Sequence, residues 1–180
     1  MTEPRTPPFR IMTVCTGNIC RSPMAAVVLR DRFAGAGLAD DVVIDSTGIS
    51  GEEHGNPMDR RAVGVLRDNG YHDPATRLHQ ARQVRAADLV THDLVLAMTS
   101  AHAGALRRLA GADVSLAGRV RLYREFDPAA PVLGPGDPEH VLDIDDPWYG
   151  DRSAFVACLA QVEAAADAVV AHVVAELHAR

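Results

Sequence analysis

Ten residues near the amino end, Val14-Cys15-Thr16-Gly17-Asn18-Ile19-Cys20-Arg21-Ser22-Pro23, restrict what this chain can fold into more than any other stretch. The apolar run Phe9–Val14 precedes them, and its β-branched and bulky residues read as a strand. Pro23 follows in a first helical turn, with Ala26, Leu29 and Phe33 at helical spacing. The stretch is therefore a tight loop that leaves a strand and enters a helix, with Gly17 permitting close backbone approach. Such a loop directs several N–H groups to one point, and the helix adds the positive end of its dipole there. The product is an anion pocket with Cys15 at its floor and Arg21 beside it, whose planar fork suits two oxygens of a phosphate.

A helix N-terminus next to an arginine favours the thiolate, the nucleophilic form of cysteine. The chemistry that follows is attack of Cys15 on phosphorus to give a cysteinyl-phosphate. Thr16, Gly17, Asn18, Ile19, Cys20, Arg21 and Ser22 would then cradle the phosphate oxygens as they gather charge.

The rest of the chain alternates strands and helices. A second parallel strand is expected over Val42–Ser46, then a glycine-bearing loop over Thr47–Asn56. Pro57 is expected to open a helix with Ala62, Val63 and Leu66 on one face; an irregular stretch, Tyr71–Gln80, and a short helix over Ala81–Ala87 follow. Leu94–Met98 reads as a strand buried on both faces, Ser100–Ala110 as a helix and Val120–Leu122 as a last strand. Asp127–Asp146, with prolines at 128, 131, 135 and 138, reads as a structureless, functional loop. A final helix over Ser153–His178 carries Phe155, Leu159, Val162, Ala166, Val169, Val173 and Leu177 on one face. The order implies an α/β fold: a single three-layer domain over 9–180, with a four-stranded parallel sheet flanked by helices and a phosphate-binding loop after the first strand. Residues 1–8 form an expected flexible tail. Ligands of such sheets bind beyond the carboxyl ends of the strands, where the Cys15 loop lies.

The loop from Cys15 to Pro23 resembles the signature of the low-molecular-weight protein tyrosine phosphatases. The likeness continues in Asp45-Ser46, in His79-Gln80-Ala81-Arg82-Gln83 and in Asp146-Pro147-Trp148-Tyr149-Gly150-Asp151, in the family's order. It implies Cys15 as nucleophile, Arg21 as phosphate clamp, and a hydrogen-bond network of Asn18, Ser22, Ser46 and His79 that holds the loop. Phosphate-ester cleavage also needs a proton for the leaving oxygen and then a base for water. Asp143, Asp145, Asp146 and Asp151 are equal candidates from the residues themselves; the resemblance selects Asp146, because it alone precedes Pro147-Trp148-Tyr149-Gly150, with Asp145 as runner-up. Trp148 and Tyr149 would wall the slot for an aromatic leaving group. Cys20 reads equally as a resolving thiol for Cys15 or as a small filler, and Cys158 as core. The remaining histidines carry no expectation.

Three positions depart from the family. Glu52, in Gly51-Glu52-Glu53-His54, stands about where relatives carry the second aromatic wall; Ala26 replaces a common Glu, and Thr99 a common Asp. The acidic pair disfavours a nearby dianion unless it turns outward or meets a basic segment of the substrate.

Acidic residues outnumber basic ones, 24 to 18, which argues against nucleic acid or an anionic membrane as partner. Three cysteines argue for working thiols in a reducing compartment, and no stretch is read as a signal peptide or a bilayer span. The expectation is a cytoplasmic, monomeric hydrolase of phosphotyrosine proteins or aryl phosphates, with neither metal nor cofactor; a chain secreted without a cleaved signal would read the same. Alternatives are an arsenate reductase of the same fold, a phosphoarginine phosphatase, whose relatives carry Thr where Ile19 stands, and a phosphate-binding module with weakened catalysis.

Overall fold

The computed structural model describes residues 7–180. Residues 1–6 of the expected tail lie outside the described residues, and Pro7 and Pro8 are exposed. Four parallel strands, β1 (Phe9–Cys15), β2 (Val42–Gly48), β3 (Leu94–Ala97) and β4 (Val120–Leu122), form one sheet in the order β2-β1-β3-β4. The helices are α1 (Arg21–Gly35), α2 (Arg60–Asp68), α3 (Ala75–Leu78), α4 (Ala86–Thr91), α5 (Ser100–Ala110), α6 (Val114–Gly118) and α7 (Arg152–His178).

Side chains alternate across a strand, and β1 uses both faces. Phe9, Ile11 and Cys15 join the core built with α1, α2 and α7, whereas Met12 and Val14 join a smaller core with Leu89 of α4 and Ala103 and Leu106 of α5. The same division separates Leu94 and Leu96 from Val95 and Ala97 in β3. Two apolar faces with helices on each give the expected three layers. In α7, Phe155, Leu159, Val162, Ala166, Val169 and Val173 are buried as expected, joined by Cys158 and Ala165, while Leu177 is partly buried.

Five expectations need correction. Tyr71–Gln80 is not irregular throughout, since α3 spans Ala75–Leu78. Pro57 does not open α2: Asp59 caps it, its Oδ1 accepting the Arg61 N–H at 2.7 Å, while the Asp59 N–H is donated to the Ile19 carbonyl. Ala81–Ala87 is not a helix. Gly48 N–H is donated to the Arg82 carbonyl and Val84 N–H to the Gly48 carbonyl, so the segment lies along the end of β2, and the helix there is α4. Tertiary hydrogen bonding overrides local propensity at that point. Asp127–Asp146 is not wholly structureless, since Glu139–Leu142 forms a 3-10 turn and the Ile144 N–H bonds the Met98 carbonyl, with Leu142 and Ile144 buried. Finally, α7 is long and apolar enough to cross a bilayer by length and composition, contrary to the reading of no such stretch; its buried face packs on α1 and α2.

Beneath the sheet's edge, buried His92 donates Nδ1–H to the Asp88 carbonyl at 2.6 Å and places Nε2 3.1 Å from Asp45, which also meets Arg82 and Arg10. Burial alone would raise the Asp45 pKa, but the hydrogen bond and charge of His92, with Arg82 and Arg10, hold it below the ordinary value. Burial alone would lower the His92 pKa, yet Asp45 and the Asp88 carbonyl raise it. His92 binds its proton more tightly folded than unfolded, so its contribution is present below the unfolded histidine range and is lost as pH rises through the folded value. Asp45 binds its proton less tightly, so its contribution is present above the unfolded carboxylate range and is lost as pH falls. His92→Gln is therefore expected to cost about 1–2 kcal/mol of unfolding free energy at about pH 5.5–6 and clearly less at about pH 9. Equal losses in urea titrations at the two pH values would contradict the pairing.

Candidate active site

Cys15 ends β1 and Arg21 begins α1, so the five residues between them form the whole turn from strand to helix. The turn closes because Asn18 adopts a left-handed backbone, φ 61°, which Asn tolerates better than most residues. Asn18 is fully buried and every polar group it has is used. Its N–H approaches Cys15 Sγ at 3.3 Å, and its Nδ2 donates to Ser22 Oγ at 3.0 Å and Ser46 Oγ at 2.8 Å. Its Oδ1 accepts the Arg82 N–H at 3.0 Å, and its carbonyl lies 2.7 Å from His79 Nε2. A carbonyl can only accept, so Nε2 of His79 carries the proton; burial pushes the pKa of this histidine down, in keeping with a neutral ring. The structure thus brings Asn18, Ser22, Ser46 and His79 together beneath the loop.

The segment after β2 clasps the loop from the side. Ile49 and Ser50 donate N–H groups to the Cys15 and Thr16 carbonyls, both at 2.9 Å. The close approach falls at Gly48, where a Cβ would stand 2.5 Å from the Thr16 carbonyl oxygen, whereas Gly17 faces the Glu53 side chain. The sequence reading placed that role on Gly17. β2 runs on to Gly48 to make this contact, two residues beyond its expected end.

Above the loop lies a cleft of about 150 Å³ lined by Cys15, Thr16, Gly17, Ile19, Cys20 and Arg21 on the loop side. Ser50, Glu52, Glu53, Asp146, Trp148 and Tyr149 line the facing walls. Cys15 is only 2% exposed and lines the floor of the cleft. Ser22 Oγ sits 3.1 Å from that sulfur and 3.1 Å from the Thr47 carbonyl, so one hydroxyl hydrogen has two acceptors when the sulfur is a thiolate. The side chains of Asn18 and Ser22 lie under the cleft and support it.

Arg21 is 4% exposed, and its guanidinium is held from three directions. Nη1 donates to the Ile144 carbonyl at 3.0 Å, and Nη2 donates to Thr16 Oγ1 at 3.2 Å and to Asp146 Oδ2 at 2.5 Å. Its Nε is buried with no partner among the described residues.

The four loop carboxylates are sorted by what they bind. Asp143 accepts from the Ser100 N–H at the start of α5, and Asp151 caps α7 through Ser153. Asp145 is exposed and does not line the cleft. Asp146 alone reaches Arg21, while its Oδ1 accepts the Trp148 N–H at 3.2 Å and so starts the turn Pro147–Tyr149. Trp148 and Tyr149 are 43% and 89% exposed, so neither packs in the core.

Burial drives the Cys20 thiol pKa far up, aided by Asp59, and burial pushes that of Cys158 up to about 12. All three cysteines are free. Among the described residues no group of three or more His, Cys, Asp or Glu side chains is arranged to hold a metal ion.

Two residues at the site were missed from sequence. Arg61 donates Nη1–H to the Trp148 and Gly150 carbonyls, both at 3.2 Å, and its guanidinium stacks on Trp148 and Phe155, fastening the aromatic turn to α2. His102, in the first turn of α5, brings Nε2 to 2.9 Å from Thr16 Oγ1. The signal for His102 was its place just after β3, whose carboxyl end lies beside that of β1; Arg61 carried no such signal.

The sequence and the fold have counterparts. The family model for low molecular weight phosphotyrosine protein phosphatase matches residues 10–179. A low molecular weight protein-tyrosine-phosphatase of Streptomyces coelicolor is 44% identical over 172 residues, 96% of this chain and 98% of the relative. YfkJ from Bacillus subtilis superposes with a TM-score of 0.80 at 29% identity, covering 96% of this chain and 99% of that one. Vibrio vulnificus Wzb, solved in complex with benzylphosphonate, gives a TM-score of 0.70 at 28% identity over 89% of this chain and 95% of its own. With the family's model matched from β1 to the end of α7, this chain belongs to the low molecular weight phosphotyrosine protein phosphatases.

Proposed function

We propose that the chain hydrolyses phosphotyrosine monoesters in proteins through a cysteinyl-phosphate formed on Cys15. The observation that carries this reading is the buried, unpartnered Nε of Arg21 beside an Nη2 that rests on Asp146, above a cleft floored by Cys15. A phosphate oxygen supplies the missing acceptor for Nε, and a second oxygen takes Nη2 in place of the carboxylate. The dianion thereby frees Asp146 from Arg21 at the moment it binds.

Asp146, once displaced from Arg21, takes up a proton from solvent; Cys15 Sγ then attacks phosphorus, the bond from phosphorus to the aryl oxygen breaks, and Asp146 delivers that proton to the departing oxygen. Arg21 and the loop N–H groups, including those of α1's first turn that have no intrahelical acceptor, hold the equatorial oxygens. In the second step Asp146 takes a proton from water, the water oxygen bonds to phosphorus, and the sulfur–phosphorus bond breaks to return the thiolate. Ser22, 3.1 Å from the sulfur, turns its hydroxyl hydrogen toward the departing thiolate. Cys20 is unsuited to be the nucleophile, since burial disfavours its charged form.

Trp148 and Tyr149 offer ring surface to an aromatic leaving group, and the similar Wzb was solved with benzylphosphonate, an aromatic ring bearing a tetrahedral phosphorus acid. An arsenate reductase needs further accessible resolving thiols, and Cys158 lies buried on α7. A working thiol beside a second free cysteine requires a reducing compartment, which is the ground for placing the chain in the cytoplasm.

Also lining the cleft, Glu52 is exposed, and the Glu53 carboxylate accepts from Asn56 Nδ2 and from no other group among the described residues. Both line the cleft with Asp146, so the rim is acidic while the floor is built for a dianion. That pattern favours phosphotyrosine flanked by lysine or arginine.

With p-nitrophenyl phosphate, Cys15→Ser is expected to abolish turnover and Asp146→Asn to lower kcat by about 10²–10⁴-fold. Turnover that survives Cys15→Ser would reject the mechanism. For peptides, basic flanks should raise kcat/KM by about 3–30-fold over acidic ones at low salt, an advantage lost at about 0.5 M salt and in Glu52→Gln/Glu53→Gln. Equal rates for the two peptide sets would reject the acidic rim as a reader of sequence.

A further inference from the structure

Arg21 is the one cation among the described residues that line the cleft, and one of its three supports, Asp146, leaves during the proposed reaction. Asp146 leaves when phosphate arrives, and the Ile144 carbonyl holds only Nη1. The support that remains on Nη2 is Thr16 Oγ1, at 3.2 Å. Thr16 itself is exposed, and a free threonine hydroxyl would rotate. What stops it is His102.

We propose that His102 is a positioning residue that acts as a neutral hydrogen-bond acceptor for the Thr16 hydroxyl, fixing that oxygen so that Arg21 stays aimed at the phosphate site through the catalytic cycle. The directions follow from donor arithmetic. Arg21 has only N–H donors, so Thr16 Oγ1 accepts from it. The hydroxyl keeps one hydrogen to give, and Nε2 of His102, 2.9 Å away, is the acceptor assigned to it. The chain therefore runs from Arg21 N–H to Thr16 oxygen, and from Thr16 O–H to Nε2, leaving the histidine proton on Nδ1.

The surroundings suit an uncharged ring. His102 is buried, at 7% exposure, and Nδ1 has no partner among the described residues. Burial, with the Arg21 charge nearby, pushes its pKa down to about 4. A charged imidazolium could not accept from Thr16 and would set a second cation against Arg21. The ring is also anchored from its own backbone: Thr99 caps α5, and its Oγ1 accepts the His102 N–H at 3.2 Å. Sequence position 99 thus matters as the fixed point of the lever, in a chain where Thr stands in place of the family's common Asp. His102 touches neither substrate nor the reacting atoms; it works through Thr16 and Arg21.

The kinetic part of the test rests on the phosphatase reading, whereas the spectroscopic part does not, so the two can fail separately. In 15N NMR of the native chain at neutral pH, Nε2 of His102 is expected in the unprotonated range and Nδ1 in the protonated range, with the Nε2 signal moving in Thr16→Val. The reverse assignment overturns the proposal whether or not the chain is a phosphatase. Kinetically, His102→Leu is expected to raise the inhibition constant for inorganic phosphate by about 5–10-fold and to lower kcat/KM by about 10–30-fold. His102→Gln, which restores an acceptor near the same point, should return both to within about threefold of native. Thr16→Val should show the same losses as His102→Leu, and the double variant should be no worse than either single one. If His102→Leu fails to fold, Thr16→Val on the surface still decides: native phosphate inhibition in that variant overturns the proposal. So does a double variant whose losses multiply.

Discussion

The architecture of the site depends on one buried asparagine. Asn18 turns the chain through a left-handed backbone between β1 and α1, and that turn is what aims the loop at a point above Cys15. A buried amide left unpaired costs about 1–3 kcal/mol per group, so such a residue persists only if the surroundings satisfy it. Here Ser22, Ser46, Arg82 and His79 do so from α1, β2 and the segment laid along the end of β2. The loop's shape is therefore set by four residues from three segments at once and does not await substrate.

The remaining parts of the site follow from how the sheet is built. β1 lies between β2 and β3, so the carboxyl ends of both neighbours stand beside the loop. β2 continues to Gly48, where the absence of a side chain lets Thr16 lie against it, and β3 leads directly into α5, which carries His102. Past β4, the proline-rich chain returns across the end of β3, pinned by Ile144, and this delivers Asp146 to Arg21. Arg61 and Asp59 at the start of α2 hold the aromatic turn on one side and the Ile19 carbonyl on the other. Charge is distributed to match: a guanidinium with an unfilled donor at the floor, and carboxylates at the rim.

How much of this was legible in the sequence follows the range of the forces involved. The turn from Cys15 to Arg21 could be read because its signals are local: an apolar strand, a glycine, an arginine and a proline within one stretch. The helix over Ser100–Ala110 and the strand over Val120–Leu122 were read with their observed bounds for the same reason. Asp146 could be selected only by resemblance, because Asp143, Asp145, Asp146 and Asp151 differ in what they cap, and capping partners such as Ser100 lie 43 residues away. Pro57 misled because Asp59, two residues on, is the better cap and is tied to Ile19. Ala81–Ala87 misled because its backbone finds Gly48 in place of itself. His102 and Arg61 were missed for a plainer reason: their partners Thr16 and Trp148 are 86 and 87 residues distant, and only His102, placed just after β3, carried any signal at all.

The central physical claim is that a tetrahedral dianion displaces Asp146 from Arg21 and settles over Cys15. A crystal structure of the chain with inorganic phosphate tests this most directly. It should show one phosphate oxygen on Arg21 Nε and another on Nη2, the phosphorus in line with Cys15 Sγ, and the Asp146 carboxylate released from the guanidinium. Phosphate bound elsewhere, or Arg21 still paired with Asp146 beneath it, would contradict the account.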